Sequence, residues 1–309
     1  MTLFNRGTLP DAFGDRVERL RGDRTTPDFE RLLAGRSFDA AVDFAAFDGP
    51  DGRRAAEVLG GRVGHYVAIS TGQVYLVREG CPRPARESDY EGPVMAAPVD
   101  PFDRGEWEYG VRKRALEDAL AVAWEKGRFP ATCLRIPMVN GERDHFRRLE
   151  RYLWRMLDGG PVLLPGGGDR TTRHVYSGSV VKAILAMLGR TDTHGQAYNL
   201  AQDETPKLGE LLALAAERLG SAPRLVAVPA DGVRAAGLDP LLLSPFSGAW
   251  MSFLDPSRAK ADLGFHHEPL GSYLDKIVTA FLAHPRPDSP PGYEQRKSEL
   301  RLAETVPGR

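Results

Sequence analysis

Short apolar segments alternate with helix-like segments along the first half of the chain. The apolar segments have the length and β-branched content of buried strands, and they are FDAAVDFAAF at 38–47, HYVAIS at 65–70 and ATCLRIPMV at 131–139. MTLF at 1–4 forms another short apolar run at the start of the chain. Helical patterns follow these runs at 28–35, 52–61 and 106–127. Strands and helices that alternate at this spacing predict βαβ units around a parallel sheet.

The second half of the chain predicts shorter elements. Helices are expected at 146–158, 178–189 and 207–220, with strands at 161–164 and 174–176. Proline and glycine interrupt the segment at 76–105, which predicts a surface loop or lid between strand and helix. The chain after His284 is polar and rich in proline, so we predict a disordered tail at 285–309.

Composition narrows the class of protein. The chain has 309 residues, 42% hydrophobic content and a formal net charge of −1, as expected for a soluble globular protein. Lys and Arg together number 41, and Asp and Glu together number 42. Because positive charge is not in excess, we expect no nucleic-acid partner. No apolar run reaches the ~20 residues that span a bilayer, and no signal peptide begins the chain. We therefore expect a cytoplasmic protein without a membrane partner.

The cysteines and histidines predict neither a disulfide framework nor a metal site. Cys81 and Cys133 are too few for a disulfide framework or a four-cysteine metal site, and free thiols are expected. The histidines lack the spacing of metal ligands, including the adjacent pair His266 and His267.

One pair of residues predicts proton-transfer chemistry. Tyr109 and Lys113 stand four residues apart in a predicted helix and therefore share one of its faces. An ammonium close to a phenol stabilises the phenolate and lowers the pKa of the phenol from about 10. Such a tyrosine can act as general acid or base on an alcohol or ketone. A hydroxyl from Ser70 or Thr71, at the carboxyl end of a buried strand, can hold the substrate oxygen near that phenol.

The order of these segments resembles the extended short-chain dehydrogenases/reductases, which include the NAD-dependent epimerases and dehydratases. ISTGQVY at 69–75, YGVRKRALE at 109–117 and LRIPMVNGERD at 134–144 carry the resemblance, together with RHVYSGSVVKAI at 173–184 and DPSRAKADLGF at 255–265. It covers residues 1 to 283 approximately. By this resemblance Thr71, Tyr109 and Lys113 are the catalytic residues.

The resemblance also assigns binding residues. For the cofactor it implies Asn5, Arg6, Asp23, Arg24, Phe44, Ala45, Ala46, Ser70, Lys113, Pro137 and Met138. For the substrate it implies Gln73, Asn140 and Arg173, of which Arg173 aligns with an arginine that often meets a substrate phosphate. Two departures bear on the substrate: small residues replace the family's usual aspartate in RHVYSGSV, and the spacing from Thr71 to Tyr109 is wider than usual.

The implied fold is α/β, with a Rossmann-like parallel sheet and a smaller C-terminal α/β substrate domain. Residues 1–140 with 174–200 are expected to form the cofactor domain, and residues 141–173 with 201–284 the substrate domain. The family often dimerises through the helices of the Tyr–Lys region, which implies a homodimer here as well.

The beginning of the chain differs from the family pattern. The family starts with a strand, a Gly-x-x-Gly-x-x-Gly turn and a helix that cradles the cofactor pyrophosphate, and no segment here has that pattern. MTLFNRG instead matches the second strand of the family, so we expect that one βα unit is missing through a truncated gene model. Translation upstream of Met1 tests this expectation. Asn5-Arg6 at the tip of that strand favours NADP over NAD, because arginine accommodates the 2′-phosphate.

The sequence thus predicts an NAD(P)-dependent oxidoreductase, epimerase or dehydratase that acts on a hydroxyl or keto group of a small molecule, such as a nucleotide sugar. Two alternatives stay open. The LFNRG opening also resembles that of atypical, non-catalytic family members of the chloroplast stem-loop RNA-binding type. The balance of positive and negative charges disfavours RNA binding. A pseudoenzyme with impaired cofactor binding is the second alternative.

Overall fold

The computed structural model describes residues 1–9, 11 and 13–306 and has an α/β architecture. Its strands are β1 Thr2–Asn5, β2 Glu18–Arg21, β3 Ala41–Asp43, β4 Tyr66–Thr71, β5 Ala131–Ile136, β6 Met138–Asn140, β7 Val162–Pro165, β8 His174–Tyr176, β9 Gln196–Asn199 and β10 Leu225–Val228. Its helices are α1 Asp28–Leu33, α2 Gly49–Leu59, α3 Gln73–Leu76, α4 Pro101–Gly127, α5 Arg148–Leu157, α6 Ser177–Met187, α7 Leu208–Leu219, α8 Ala230–Ala235, α9 Pro240–Leu243, α10 Ser257–Leu263, α11 Leu270–Ala283 and α12 Arg296–Thr305.

The strands pair in parallel, as the alternating pattern predicts. A four-stranded sheet has the order β3-β4-β5-β9, and three further pairs join β1 to β2, β6 to β8 and β7 to β10. The pairs β1–β2, β3–β4, β6–β8 and β7–β10 are parallel. All six residues of β4 are buried, which explains its continuous apolar sequence. The α/β class is confirmed, whereas the expectation of a missing first strand stays a prediction.

The chain divides into two compact units whose limits differ from the predicted domain boundaries. The first unit consists of Met1–Ile69, Arg112–Cys133 and Leu188–Gln196. The second unit consists of Ser70–Val111, Leu134–Met187 and Ala197–Arg309. The functional division into a cofactor domain and a substrate domain stays a prediction.

A buried ionic network organises the first unit at the end of β3. Arg24 donates hydrogen bonds of 2.7 Å to both carboxylate oxygens of Asp43, and Tyr66 donates one of 2.6 Å to the same carboxylate. The amides of Ala45 and Ala46 also donate to Asp43. Burial raises the pKa of Asp43, but the Arg24 charge and these hydrogen bonds outweigh it and hold the pKa below its usual value. The network fixes the turn that leads from β3 towards α2.

Replacing Asp43 by asparagine is expected to destabilise the protein by about 3 kcal/mol, because the half-buried Arg24 charge loses its main partner. A carboxylate with a depressed pKa stabilises the fold above its unfolded pKa of about 3.9, and this contribution disappears as the pH falls through the folded pKa. Chemical denaturation at several pH values measures the effect. The difference between wild type and Asp43→Asn should be constant from about pH 5 to 8 and shrink below about pH 4.

The matched control for this prediction is Asp39→Asn. Asp39 is exposed and lies two residues before β3, so the same chemical change should leave the denaturation midpoint in place. Equal stability of the two variants at neutral pH would contradict the role of the Asp43 network.

The core of the second unit forms where α5, α7 and α11 pack together. Its fully buried members include Tyr152 and Leu153 from α5, Leu211 and Leu212 from α7 and Tyr273 from α11. Helix α7 ends at Gly220, whose φ of 68° closes the helix in the left-handed conformation. The apolar pattern at 207–220 predicted this helix correctly.

The loop at 76–105 is irregular, as predicted, but it is shorter than expected. Helix α4 begins at Pro101 instead of at residue 106, because the Asp100 carboxylate accepts hydrogen bonds from the amides of Phe102 and Asp103. The loop folds back on itself: the Met95 amide donates to the Val77 carbonyl, and Glu79 donates to Pro93. These bonds tie both ends of the loop to each other.

The chain after residue 285 differs most from the expectation, because it is not disordered up to Val306. Helix α12 packs against the second unit through a buried ionic network that joins Arg155, Glu299 and Arg296. Its Ala303 lies in an apolar cluster with Leu163 and Val226. Residues 307–309 of the predicted tail lie outside the described residues.

Candidate active site

In the second unit, Gly110 allows α4 to approach the chain that follows β4, and Gly72 allows the segment at 252–254 to approach it. A Cβ on Gly110 would lie 2.6 Å from the Val77 side chain and 2.8 Å from the Gln73 carbonyl oxygen. A Cβ on Gly72, which follows β4, would lie 2.2 Å from the Ser252 hydroxyl. The missing side chains therefore permit the close packing that brings α4 to α3. This approach positions Tyr109 near the residues that follow β4.

Tyr109 and Thr71 interact directly. Thr71 is the last residue of β4 and is buried, while Tyr109 is half-buried on α4. Burial and the Glu106 charge raise the pKa of Tyr109, with burial the larger of the two. A hydrogen bond with Thr71 and the charge of Arg148 lower the pKa, but the net shift is upward. This direction is opposite to the lowering expected from the sequence. The phenol is consequently protonated at neutral pH and can donate a proton.

Gln73 and Glu106 form a second polar pair beside Tyr109. The Gln73 side-chain amide donates a hydrogen bond to the Glu106 carboxylate, and Gln73 is 9% exposed. Burial raises the pKa of Glu106, the bond from Gln73 lowers it, and Asp103 raises it further, with a net upward shift. Glu106 lies three residues before Tyr109 and so occupies the same helix face. Sequence reasoning missed Glu106, although the i, i+3 spacing from Tyr109 was a usable signal.

Lys113 lies in the first unit, where it is held by backbone oxygens. Its ammonium donates hydrogen bonds of 2.7 Å to the Ala46 carbonyl and 2.9 Å to the Ile69 carbonyl, and the residue is 5% exposed. Burial lowers the pKa of Lys113, although the nearby Asp43 charge opposes the shift. An ammonium has three donors, so one donor remains beyond these two carbonyls.

The predicted adenosine residues surround the ends of β1 and β2 in the first unit. The Arg6 side chain is 70% exposed and lies 4.0 Å from the Asp23 carboxylate. The Asn5 side-chain oxygen accepts hydrogen bonds from the Gly7 amide and from Arg21. The Arg24 guanidinium is instead engaged by Asp43 and Asp51, so its main contacts are structural. Arg6 is thus the cation of this group that is available to a ligand.

The remaining predicted cofactor residues differ in exposure. In the first unit, Phe44 is 68% exposed beside the buried Ala46. Ala45 is exposed, and its amide donates to Asp43. In the second unit, Ser70 is buried, Pro137 is buried and Met138 is half-buried.

The predicted substrate residues Asn140 and Arg173 are buried in the second unit and incompletely satisfied. Asn140 is 3% exposed and Arg173 is 8% exposed. Within the described part of the chain, Asn140 Nδ2 and Arg173 Nε have no hydrogen-bond partner. Burial lowers the pKa of Arg173, although Asp203, Asp255 and Glu204 oppose the shift. A buried donor without a partner costs free energy.

His174, next in sequence to Arg173, is a further unsatisfied group that the sequence did not single out. It is fully buried on β8, and neither ring nitrogen has a partner among the described residues. Burial and the Arg148 charge lower its pKa to about 3. It is therefore a neutral side chain at physiological pH, and its low pKa excludes a role as a cationic ligand for phosphate.

The residues fit a nicotinamide dinucleotide at its two ends. The free donor on Lys113 suits a ribose hydroxyl, and the exposed Arg6 cation suits a phosphate on the adenosine ribose. The sequence from Met1 to Arg309 contains no Gly-x-x-Gly-x-x-Gly turn for the pyrophosphate. Helix α2 does not replace it, because Asp48, an acidic residue, caps its N-terminus and accepts from the Asp51 amide.

Among the described residues, neither a metal centre nor a disulfide is present. No group of three or more potential ligand side chains could hold a metal ion there, and neither Cys81 nor Cys133 is part of a disulfide. The helices within the same residues include none with the length and apolar character needed to cross a membrane.

Comparison with known protein families shows to which family the chain belongs. The family described as "NAD dependent epimerase/dehydratase family" matches residues 15–201, which is more than half of the chain. The protein therefore belongs to this family, and the resemblance found in its sequence is confirmed.

One curated relative is 2′-dehydrokanamycin reductase from Streptomyces kanamyceticus. It is 25% identical over 236 residues, which are 75% of this chain. The aligned region spans 63% of that relative's length.

Solved structures show the same fold. UDP-glucose 4-epimerase from Thermotoga maritima, solved with UDP-glucose, superposes with a TM-score of 0.71 at 18% identity and covers 92% of this chain and 91% of its own. UDP-glucuronic acid 4-epimerase from Bacillus cereus, solved with NAD, superposes with a TM-score of 0.65 at 18% identity. It covers 89% of this chain and 83% of its own. The Rossmann-like fold is thereby confirmed.

Proposed function

We propose that this protein is an NAD(P)-dependent oxidoreductase that acts on a hydroxyl or keto group of a small sugar-like molecule. The observation that carries the proposal is the protonated phenol of Tyr109, bonded to Thr71 at the end of a buried strand. A protonated phenol donates a proton to a carbonyl oxygen, which suits the reduction of a ketone. Family membership supports a redox role for the same residues.

In the proposed reaction, Thr71 holds the substrate oxygen and Tyr109 supplies its proton. A reduced nicotinamide, when bound, supplies the hydride that the carbonyl carbon accepts. The Tyr109 proton goes to the carbonyl oxygen, so that a ketone becomes an alcohol, and solvent later restores the phenol. The Gln73–Glu106 pair can bind a hydroxyl or amine on a neighbouring carbon of the substrate. Lys113 would bind the ribose next to the nicotinamide.

The cofactor is proposed to be NADP(H), with NAD(H) as the weaker ligand. The exposed Arg6 at the end of β1 is a cation where the adenosine ribose is expected, and it suits a 2′-phosphate. Asp23, which lies 4.0 Å away, keeps this guanidinium near the strand end. UDP-glucuronic acid 4-epimerase from Bacillus cereus was solved with NAD, which supports a nicotinamide cofactor in general.

The substrate is proposed to be a sugar or sugar derivative. Asn140 and Arg173 offer buried donors without partners, and Arg173 would accept an anionic group such as a phosphate. The curated relative is a reductase of 2′-dehydrokanamycin, and the structural relatives are epimerases of UDP-glucose and UDP-glucuronic acid. Both substrate types offer a keto or hydroxyl group on a sugar ring, which is the chemistry that Tyr109 and Thr71 serve.

A direct assay tests the proposal. The protein is incubated with NADPH or NADH and with 2′-dehydrokanamycin, UDP-glucose or UDP-glucuronic acid, and nucleotide oxidation and sugar products are measured. We expect conversion of at least one sugar and tighter binding of NADPH than of NADH in a fluorescence titration. Absence of nucleotide binding, or binding without conversion of any sugar, would contradict the proposal.

A further inference from the structure

A cavity in the second unit lies outside the residues assigned above. Its volume is about 190 Å³, and its walls come from the chain after α3 and from the segment at 252–253. The lining residues that bear on its chemistry are Arg78, Arg83, Cys81 and Ser252. At roughly 30 Å³ for each water, the cavity has room for about six waters, or for a phosphate or carboxylate group with a short attached chain.

Arg78 is the group in this cavity that lacks a partner. Its buried Nε has no hydrogen-bond partner among residues 1–9, 11 and 13–306, and the residue as a whole is half-buried. A buried guanidinium donor without an acceptor costs free energy that a bound ligand would recover. Arg78 therefore indicates a ligand that accepts hydrogen bonds.

The backbone around Arg78 is shaped for its side chain. Gly92 has a φ of 138°, and a Cβ at that position would lie 2.3 Å from Arg78 Nε. The Arg78 backbone also pairs with Val94 across the folded loop. Any residue other than glycine at 92 would displace the guanidinium, so the loop holds Arg78 in a defined place.

The charge of the cavity favours an anion. Arg83 is a second cation on the wall, and the lining residues include no aspartate or glutamate. Arg83 is exposed. Two arginines on a wall without carboxylates favour an oxyanion, because a guanidinium fork can bind two oxygens at once.

We propose that this cavity is a binding site for a small oxyanion, either a phosphate ester or a carboxylate. Arg78 binds its oxygens through the guanidinium fork, and Arg83 adds charge from the rim. Thr71 and Tyr109 do not line the cavity, so the site is independent of the proposed proton transfer. Its ligand and its test consequently do not depend on whether the proposed activity is correct.

Isothermal titration of the full-length protein with inorganic phosphate and with malonate tests the proposal and distinguishes the two ligand types. We expect saturable binding of at least one of these anions and roughly 10- to 100-fold weaker binding in Arg78→Gln. Arg301→Gln is the matched control, since Arg301 is an exposed arginine on α12. Unchanged melting temperatures show that the variants fold. Unaltered affinity in Arg78→Gln, or binding that is lost in Arg173→Gln instead, would overturn the proposal.

Cys81 provides a second readout, because its thiol is partly exposed and lines the same cavity. Saturating phosphate or malonate should slow the alkylation of Cys81 by iodoacetamide in the wild type but not in Arg78→Gln. The buried Cys133 is an internal reference in the same mass spectrum. Equal rates of Cys81 alkylation with and without a bound anion would place that anion elsewhere and overturn the assignment.

Discussion

Replacing Glu299 by glutamine is expected to lower the free energy of unfolding by about 3–5 kcal/mol. Glu299 and Arg155 are both fully buried, and Arg155 Nε donates to Glu299 at 2.9 Å. Arg296 donates to the same carboxylate at 3.0 Å. The amide of glutamine neutralises neither guanidinium, so a buried positive charge stays without compensation. Chemical denaturation at neutral pH, followed by circular dichroism, measures the loss.

Glu304→Gln is the matched control for this experiment. Glu304 lies on the same helix but is exposed, so the same substitution should change stability by less than about 0.5 kcal/mol. Limited proteolysis adds a local readout, because release of α12 in Glu299→Gln should expose the chain after residue 285. Equal stability of both variants would show that α12 is docked by its apolar contacts alone.

The same network explains why the end of the chain could not be predicted from its sequence. The segment after residue 285 contains many prolines and charges, which are typical of disorder. Its order depends on Arg155 of α5, more than 130 residues earlier in the chain, and on Asp158, which accepts two hydrogen bonds from Arg296. A local pattern does not report a partner at such a distance, so burial of these charges could be learned only from the structure.

The strands were predictable because a buried strand has a run of consecutive, mostly apolar residues. All of β4 and most of β5 are buried, and most of their residues are apolar. Helix boundaries depended on single capping groups, which periodicity does not detect. The Asp100 carboxylate starts α4 five residues before the predicted position. The pattern of apolar residues therefore located the strands and helices, whereas side-chain hydrogen bonds such as those to Asp100 determine where a helix begins.

For the candidate site, the sequence predicted the reactive groups better than their surroundings. Thr71 and Tyr109 were predicted from their order along the chain, and the structure joins them by a hydrogen bond. The Glu106 contact with Gln73 spans 33 residues, and α4 brings the pair together only because Gly110 permits the close approach. The direction of the Tyr109 pKa shift was also missed, since burial cannot be estimated from the spacing of Tyr109 and Lys113 alone.

Replacing Tyr109 by phenylalanine is expected to lower kcat by about 10²- to 10⁴-fold for any sugar that the wild-type protein converts. Phenylalanine fills the same space but has no proton to donate to the carbonyl oxygen. Nucleotide affinity should stay unchanged, because the substitution removes no group assigned to the cofactor. Steady-state kinetics with the sugar identified in the direct assay, together with a nucleotide fluorescence titration, measure both quantities.

The matched control is Tyr293→Phe, which removes a phenol hydroxyl that donates to Asp158 outside the candidate site. Its kcat should equal that of the wild type. If Tyr109→Phe also kept the wild-type kcat, the proton would have to come from another group, and Glu106 would be the next candidate because burial raises its pKa. A loss of nucleotide affinity equal to the loss of kcat would instead show that Tyr109 serves binding. Only a fall in kcat at constant nucleotide affinity identifies Tyr109 as the proton donor.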